Sequence, residues 1–324
     1  MIDRIPQAIE ILRAGGLVAF PTETVYGLGA DATNASAVQH IFTAKGRPKT
    51  NPLIVHVADA ERARRYAAIW PEAAQILSQT FWPGPLTLVL PKQSNIVDEV
   101  TAGRGTVGLR APDHPLTLEL LRRWDGPLAG PSANRSNHVS PTTAEHVRQE
   151  LGDAVEMILD GGPCRVGIES TVLDLCGNVP KILRPGGVSR EQIEAVIGPV
   201  EMFAGHIEQT VAAASPGQHA VHYAPRTAAF RFETPQRGLI QVDATDGRPN
   251  GLMAMCTSDT LHKWGRIIAM PRDPAKYARH LYEVLRELDE MNLANIYIEM
   301  PPDEPAWVAV RDRLRRATVP MEAS

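Results

Sequence analysis

The sequence predicts an α/β protein of two domains. Short apolar runs alternate with stretches of helical periodicity from the N-terminus to about residue 197. A small-residue stretch, Ala212-Ala213-Ala214-Ser215-Pro216-Gly217, then breaks the alternation. A shorter series in strand–helix order follows it. The 324 residues suit two domains at about 100–200 residues each. The expected boundaries are a first domain at 1–204, a linker at 205–226 and a second domain at 227–324.

Ile5, Ala8, Ile9 and Leu12 recur at helical spacing, and Gly15-Gly16 ends that helix. Leu17–Phe20 reads as a buried strand. PTETVYGLG (21–29) after it reads as a polar turn closed by glycines. Asn34 or Ser36 can cap a helix carrying Val38, Ile41 and Phe42. Apolar strands are expected at 53–57, 86–90, 107–109, 127–129, 157–159 and 171–175, and helical patterns at 59–80, from His114, at 142–151 and at 189–197. In the second domain strands are expected at 228–232, 239–242, 252–255, 267–270 and 296–298. Asp273-Pro274 is a cap followed by a first-turn proline. The helix it opens should bury Tyr277, Leu281, Val284, Leu285 and Leu288, and a last helix carries Trp307, Val310 and Leu314. Strands alternating with helices imply a small parallel sheet.

Apolar residues make up 44% and charged residues 22% of the chain, as in ordinary globular proteins. The net charge of −4 argues against a protein that holds nucleic acid by bulk charge. The three cysteines, Cys164, Cys176 and Cys256, are too widely spaced for a C-x-x-C pair or a disulfide framework. No apolar run approaches the ~18 residues that span a bilayer. The charged start MIDRIPQAIEILRAGG does not resemble a signal peptide. The expected location is the cytoplasm, without membrane contact.

The phosphate-binding loop G-x-x-x-x-G-K-[ST], the dinucleotide G-x-G-x-x-G, H-E-x-x-H and G-x-S-x-G are all absent. What the sequence offers instead is a series of polar groups at strand ends. Thr22, Glu23, Thr24 and Tyr26 crowd one turn, which is as readily structural as ligand-binding. Lys45, Arg47 and Lys49 alternate ahead of Asn51-Pro52, a pattern that neutralises phosphate oxygens or simply makes a solvated loop. His56 sits inside an apolar strand, where a core role is the plainer reading. Trp82-Pro83-Gly84-Pro85 reads as a rigid architectural turn. Thr106 and Arg110 share one face of a strand by its period of two. Ser132 and Asn134 follow another strand, and Ser140-Pro141-Thr142 opens a helix whose N–H groups can meet an anion. Ser170 and Arg184 add further polar groups at strand edges. Together they describe a hydroxyl- and arginine-rich cleft suited to an anionic ligand.

PTETVYGLG, KGRP with NPLIVH, WPGPLT, VGLR, PSAN with a later SPT, GIESTV, LRPG and SPGQHAVHYAP occur in this order. By these motifs the chain resembles the Sua5 branch of the Sua5/YrdC family, the threonylcarbamoyl-AMP synthases, over roughly 1–226. The remaining residues resemble the family's C-terminal Sua5 domain in length and element order. The resemblance implies a twisted mixed sheet of YrdC type with a large, positively charged cavity, plus a small Rossmann-like α/β domain. It also implies a reaction: L-threonine, bicarbonate and ATP give threonylcarbamoyl-AMP and pyrophosphate. The product serves N6-threonylcarbamoylation of adenosine 37 in tRNA, through a separate transfer complex.

The family pattern implies catalytic roles for Lys45 and Arg47. It places Arg47, Asn51, Thr106, Ser132, Asn134, Ser140, Arg184 and Tyr223 on ATP, and Thr24, His56, Arg110 and Ser170 on threonine. Magnesium is expected to arrive with ATP, with no metal cage of protein ligands. The 215–225 segment resembles the family's covering loop. Two places depart from the pattern: Arg135-Ser136-Asn137-His138 after PSAN, and 306–314, where the family has an Asn-Arg-Leu-x-Arg-Ala helix. A carbamoyl-transfer enzyme using the same fold is the main alternative, disfavoured by the chain length and the Sua5-like tail. An RNA-binding module is the other, disfavoured by the charge balance.

Overall fold

Val18–Phe20 (β1) and Gly27–Asp31 (β2) form an antiparallel pair in which Phe20 faces Gly27. The polar turn is therefore shorter than the sequence indicated, and its two closing glycines lie in a strand. The reason is steric: a Cβ on Gly27 would sit 2.5 Å from the Phe20 ring. These coordinates come from a computed structural model, which describes residues 2–203, 205, 213, 215–216, 222–234, 247–255 and 265–321. The expected strand at 239–242, Cys256 and the 217–221 part of the expected covering loop lie outside the described residues.

The chain divides into two compact units, Met1–Ser136 with Ser140–Ala220, and Asn137–Val139 with Val221–Ser324. In the first, α1 (Ile5–Arg13) precedes β1 and α2 (Ala35–Lys45) follows β2, its N–H groups capped by Asn34. Then come β3 (Ile54–His56), α3 (Ala60–Ala63), α4 (Glu72–Phe81), β4 (Leu86–Pro91), α5 (Asp98–Thr101), β5 (Thr106–Arg110) and α6 (Pro115–Trp124). They are followed by β6 (Leu128–Ala129), α7 (Ala144–Leu151), β7 (Met157–Ile158), β8 (Thr171–Asp174), β9 (Lys181–Arg184), α8 (Arg190–Ile197) and β10 (Glu201–Met202). The ten strands form one mixed sheet in the order β10-β9-β8-β4-β5-β3-β6-β2-β1-β7. Strands β9 and β10 escaped the sequence reading because they are short and carry charged residues.

One face of this sheet is fully packed. Val55, Leu88, Leu90, Val107, Leu109 and Leu173 alternate inward and meet Val38, Ile41 and Phe42 of α2, Ala74 and Leu77 of α4, and Ile193 of α8. The other face is divided. Val18, Phe20, Leu128 and Met157 are covered by Ile5 and Leu12 of α1 and by Leu116, Leu120 and Leu121 of α6. Beside that patch, Ile54, Thr87, Thr106, Gly108 and Val172 of β3, β4, β5 and β8 line a small pocket.

The second unit is a parallel sheet. Its described elements are β11 (Ala229–Phe232), β12 (Gly251–Ala254), β13 (Arg266–Ala269), α9 (Pro274–Glu290), β14 (Ile296–Glu299), α10 (Val308–Ala317) and β15 (Val319–Pro320). The strand order is β13-β12-β14-β11-β15, and every pairing is parallel. The Asp273 carboxylate accepts the Lys276 N–H at 2.8 Å and so caps α9, with Pro274 in its first turn. Tyr277, Leu281, Val284, Leu285 and Leu288 of α9 are buried, as are Trp307, Val310 and Leu314. Among the described residues no helix is long and apolar enough to cross a membrane.

Candidate active site

Arg110 ends β5 on the face shared with Thr106 and Gly108, because strand side chains alternate. Its Nη2 lies 2.8 Å from Glu23 Oε1 and donates to Thr24 Oγ1 at 2.9 Å, while Nε donates to the Gly84 carbonyl at 3.3 Å. The WPGP turn thus holds a buried guanidinium as well as shaping the chain. Thr22 Oγ1 donates to the Val25 carbonyl at 2.6 Å and lies 2.8 Å from Thr24 Oγ1. With the Thr22 proton so committed, the Thr24 hydroxyl donates to Thr22 and accepts from Arg110. Both Arg110 and Glu23 are buried, so each charge depends on the other.

His56 ends β3 directly beside Arg110 in parallel register. Its ring meets Phe20 edge-on with centroids 5.3 Å apart. Burial first, then the Arg110 cation, holds the imidazole well below its usual range, so it is neutral near pH 7. Nδ1 has no hydrogen-bond partner among the described residues.

Ser170 and Arg184 meet across the start of β8. Thr87 Oγ1 and Ser170 Oγ are 2.8 Å apart. Arg184 donates through Nη2 to the Ser170 carbonyl at 2.9 Å and to Ser170 Oγ at 3.2 Å, and through Nη1 to the Pro216 carbonyl at 3.3 Å. The LRPG turn packs tightly here: a Cβ on Gly186 would lie 2.3 Å from the Glu169 carbonyl oxygen, so only glycine fits. Ser140 donates its hydroxyl to Glu169 Oε1 at 2.7 Å, leaving only lone pairs for other partners.

Lys45 closes α2 and is buried. Its ammonium donates to the Ser132 carbonyl at 2.5 Å and to the Asn134 carbonyl, and the Lys45 carbonyl accepts the Ser136 N–H at 2.8 Å. Burial, then the Arg47 cation, lowers its pKa well below the lysine range. Arg47 donates through Nε to the Asn51 carbonyl at 3.1 Å and through Nη2 to the Pro52 carbonyl at 2.9 Å. Both cations, expected on phosphates, hold the backbone of neighbouring loops. The Asn51 Oδ1 is buried without a partner among the described residues.

Thr106 lines the small pocket with Thr87 and Ser215. Tyr223 belongs to the second unit. Its ring stacks on Tyr282 at 5.8 Å, and the Arg313 guanidinium lies 5.1 Å from its centroid. Sequence reasoning gave no specific role to Glu23, Glu169 or Thr87, although all three lie inside motifs it quoted. Their hydrophilicity alone hid them: only burial distinguishes a carboxylate that pairs with a site cation from one in water. Among the described residues the first unit buries four cations (Lys45, Arg47, Arg110, Arg184) but two carboxylates (Glu23, Glu169). That excess favours an anionic ligand.

A mixed sheet with a pocket on one face, near buried arginines and hydroxyls, defines the class: an α/β protein whose buried positive charge suits an anionic ligand. Comparisons with known proteins narrow it. The family model Sua5_yciO_yrdC, described as "Telomere recombination", matches residues 10–186, and Sua5_C, described as "Threonylcarbamoyl-AMP synthase, C-terminal domain", matches residues 188–319. The chain belongs to the Sua5/YrdC family. A protein from Bacillus subtilis named threonylcarbamoyl-AMP synthase is 44% identical over 97% of this chain and 92% of its own. One of the same name from Pyrococcus abyssi is 40% identical over 97% and 94%. The structure of P. abyssi Sua5 complexed with L-threonine superposes with a TM-score of 0.91 at 37% identity, covering 99% of this chain and 97% of that one. Escherichia coli YciO, at 23% identity, a TM-score of 0.53 and 60% and 94% coverage, shares the fold.

Proposed function

We infer that this protein is a threonylcarbamoyl-AMP synthase, joining L-threonine, bicarbonate and ATP into threonylcarbamoyl-AMP with release of pyrophosphate. One observation carries the reading. The buried Arg110, held by Glu23 and Thr24 beside His56, lies in a chain with 0.91 TM-score similarity to a Sua5 bound to L-threonine.

In this reading the threonine amine and bicarbonate give a carbamate with loss of water, and a carbamate oxygen attacks the α-phosphorus as pyrophosphate leaves. Such a displacement needs positioning and charge neutralisation above all. Arg110 meets the threonine carboxylate, with Thr24, neutral His56 and Ser170 around the rest of the amino acid. Arg184 ties Ser170 to the nucleotide side. Thr106, which lines the small pocket with Thr87, is assigned to the nucleotide by resemblance. Asn51, Ser132 and Asn134 line the phosphate side. Lys45 and Arg47 fix the backbone of that wall through the carbonyls they hold, and their charge favours the triphosphate. Ser140, its proton given to Glu169, offers the nucleotide an acceptor. Tyr223 is assigned to ATP by resemblance alone.

Magnesium enters as the ATP complex. The triphosphate oxygens supply most of its ligands in this reading. The proposed product is a mixed anhydride, and its consumer is an enzyme that transfers the threonylcarbamoyl group to a tRNA adenosine. A cytoplasmic setting fits these substrates. The test is pyrophosphate release with each substrate withheld in turn. Release that needs threonine, bicarbonate and ATP together supports the reading. Release indifferent to threonine overturns it, and release driven by carbamoyl phosphate in its place favours carbamoyl transfer.

A further inference from the structure

We propose that Glu23 is the positioning residue of the amino-acid carboxylate subsite, setting how the Arg110 guanidinium is presented. This rests on the threonine reading above. Glu23 ties three segments together. Its Oε1 lies 2.8 Å from Arg110 Nη2, its Oε2 accepts the Asp113 N–H at 3.0 Å, and its carbonyl accepts the Val166 N–H at 2.7 Å. Oε2 is thus hydrogen-bonded, Oε1 meets Arg110 as an ion pair without a hydrogen bond, and Glu23 is 2% exposed.

The consequence for Arg110 is directional. Gly84 takes Nε and Thr24 takes Nη2, with the Glu23 carboxylate 2.8 Å from that same nitrogen as its counter-charge. A guanidinium has five donors in a rigid plane. With one edge and one corner fixed, the plane is fixed, and Nη1 is the nitrogen left for a ligand. Glu23 also balances the Arg110 charge before a ligand arrives, which limits the cost of keeping a guanidinium buried. Without Glu23, Thr24 and Gly84 would hold Arg110 through neutral acceptors alone, and the plane would be free to tilt. Glu23 touches no reacting atom in this account. It acts through Arg110, so its influence should fall on the carboxylate and not on the rest of the amino acid.

That selectivity gives the test. Full-length protein is titrated calorimetrically with L-threonine and with L-threoninol, which keeps the amine, hydroxyl and methyl but lacks the carboxylate. Wild type should prefer threonine by about tenfold or more, as a charge-assisted pair implies. Glu23→Gln, isosteric but uncharged, should lower that preference at least about fivefold, with the ATP KM within about twofold of wild type. Glu23→Asp keeps the charge one methylene further back and should fall between; it serves alone if Glu23→Gln lacks a cooperative thermal transition. A merely structural role would weaken both ligands in parallel and leave their ratio unchanged, which overturns the proposal. Wild-type ratios in the folded variants overturn it too. Failure of wild type to bind threonine at all overturns the underlying reading first, and this assignment with it.

Discussion

One face of the ten-stranded sheet carries two regions of opposite character. Around Val18, Phe20 and Leu128 it is sealed by α1 and α6 with aliphatic side chains. A few strands away, around Thr87, Thr106 and Gly108, it fronts a small pocket whose neighbourhood holds buried arginines and carboxylates. The backbone is the same in both: short strands with alternating side chains. The difference lies in what the connections supply. The chain before β1 and after β5 forms amphipathic helices that cover β1, β6 and β7. The polar turns after β1 and β9 and before β8 instead bring Glu23, Thr24, Ser170 and Gly186 to the strand ends beside the pocket. Burial therefore serves opposite ends in the two regions. In one it stabilises apolar surface. In the other it strengthens charges by removing water, at a cost met only where each charge has a partner.

The sharpest way to break this contrast is Arg110→Met. It leaves the Glu23 carboxylate buried without its partner and should cost about 3–5 kcal/mol in chemical denaturation. Threonine-dependent pyrophosphate release should vanish with it. An unchanged unfolding midpoint would mean that the pair is far better solvated than its burial indicates. One residue earlier, Leu109 points to the packed face, and Leu109→Ala should cost about 2–5 kcal/mol through the cavity it leaves. Here the threonine KM of the remaining folded enzyme should hold. A large change in KM would show that the two faces are not independent.

Arg47→Ala should act on rate more than on folding. Loss of a cation at the phosphate wall should lower adenylate formation about 10²–10³-fold, by analogy with removal of an oxyanion donor. Wild-type pyrophosphate release would remove Arg47 from the machinery. The smallest effect is expected on the outer surface of the sealed region. Arg123 and Glu119 of α6 pair at 2.7 Å in the open, and Arg123→Ala should shift stability by only about 0.3–0.5 kcal/mol. A loss of several times that size would mean that α6 depends on its exposed side.

Much of this was legible in the residues. The helices carried their own limits: Asn34 and Asp273 are caps whose side chains accept the N–H groups they were expected to, and the apolar spacing of α9 matches its buried face. The parallel second sheet followed from strand–helix alternation alone. The β1–β2 hairpin was missed because two glycines read as a turn, and the Phe20 ring that makes them necessary is remote from any local rule. For Lys45 the sequence gives charge without direction. Its ammonium reaches the carbonyls of Ser132 and Asn134, which lie 87 and 89 positions along the chain.

By itself the sequence determined the local grammar: which segments are strand or helix, where they stop, and which motifs, in which order, mark the family. These depend on propensity, periodicity and capping, all of which act over a few residues. Only the tertiary structure decided which polar groups become a site. Glu23 and Arg110 stand 87 positions apart, and Ser170 and Arg184 join across a register irregularity between β8 and β9. A charge has a defined partner only after folding removes the water that would otherwise solvate it. Pairing and orientation are therefore properties of the packed chain, and no window of sequence contains them.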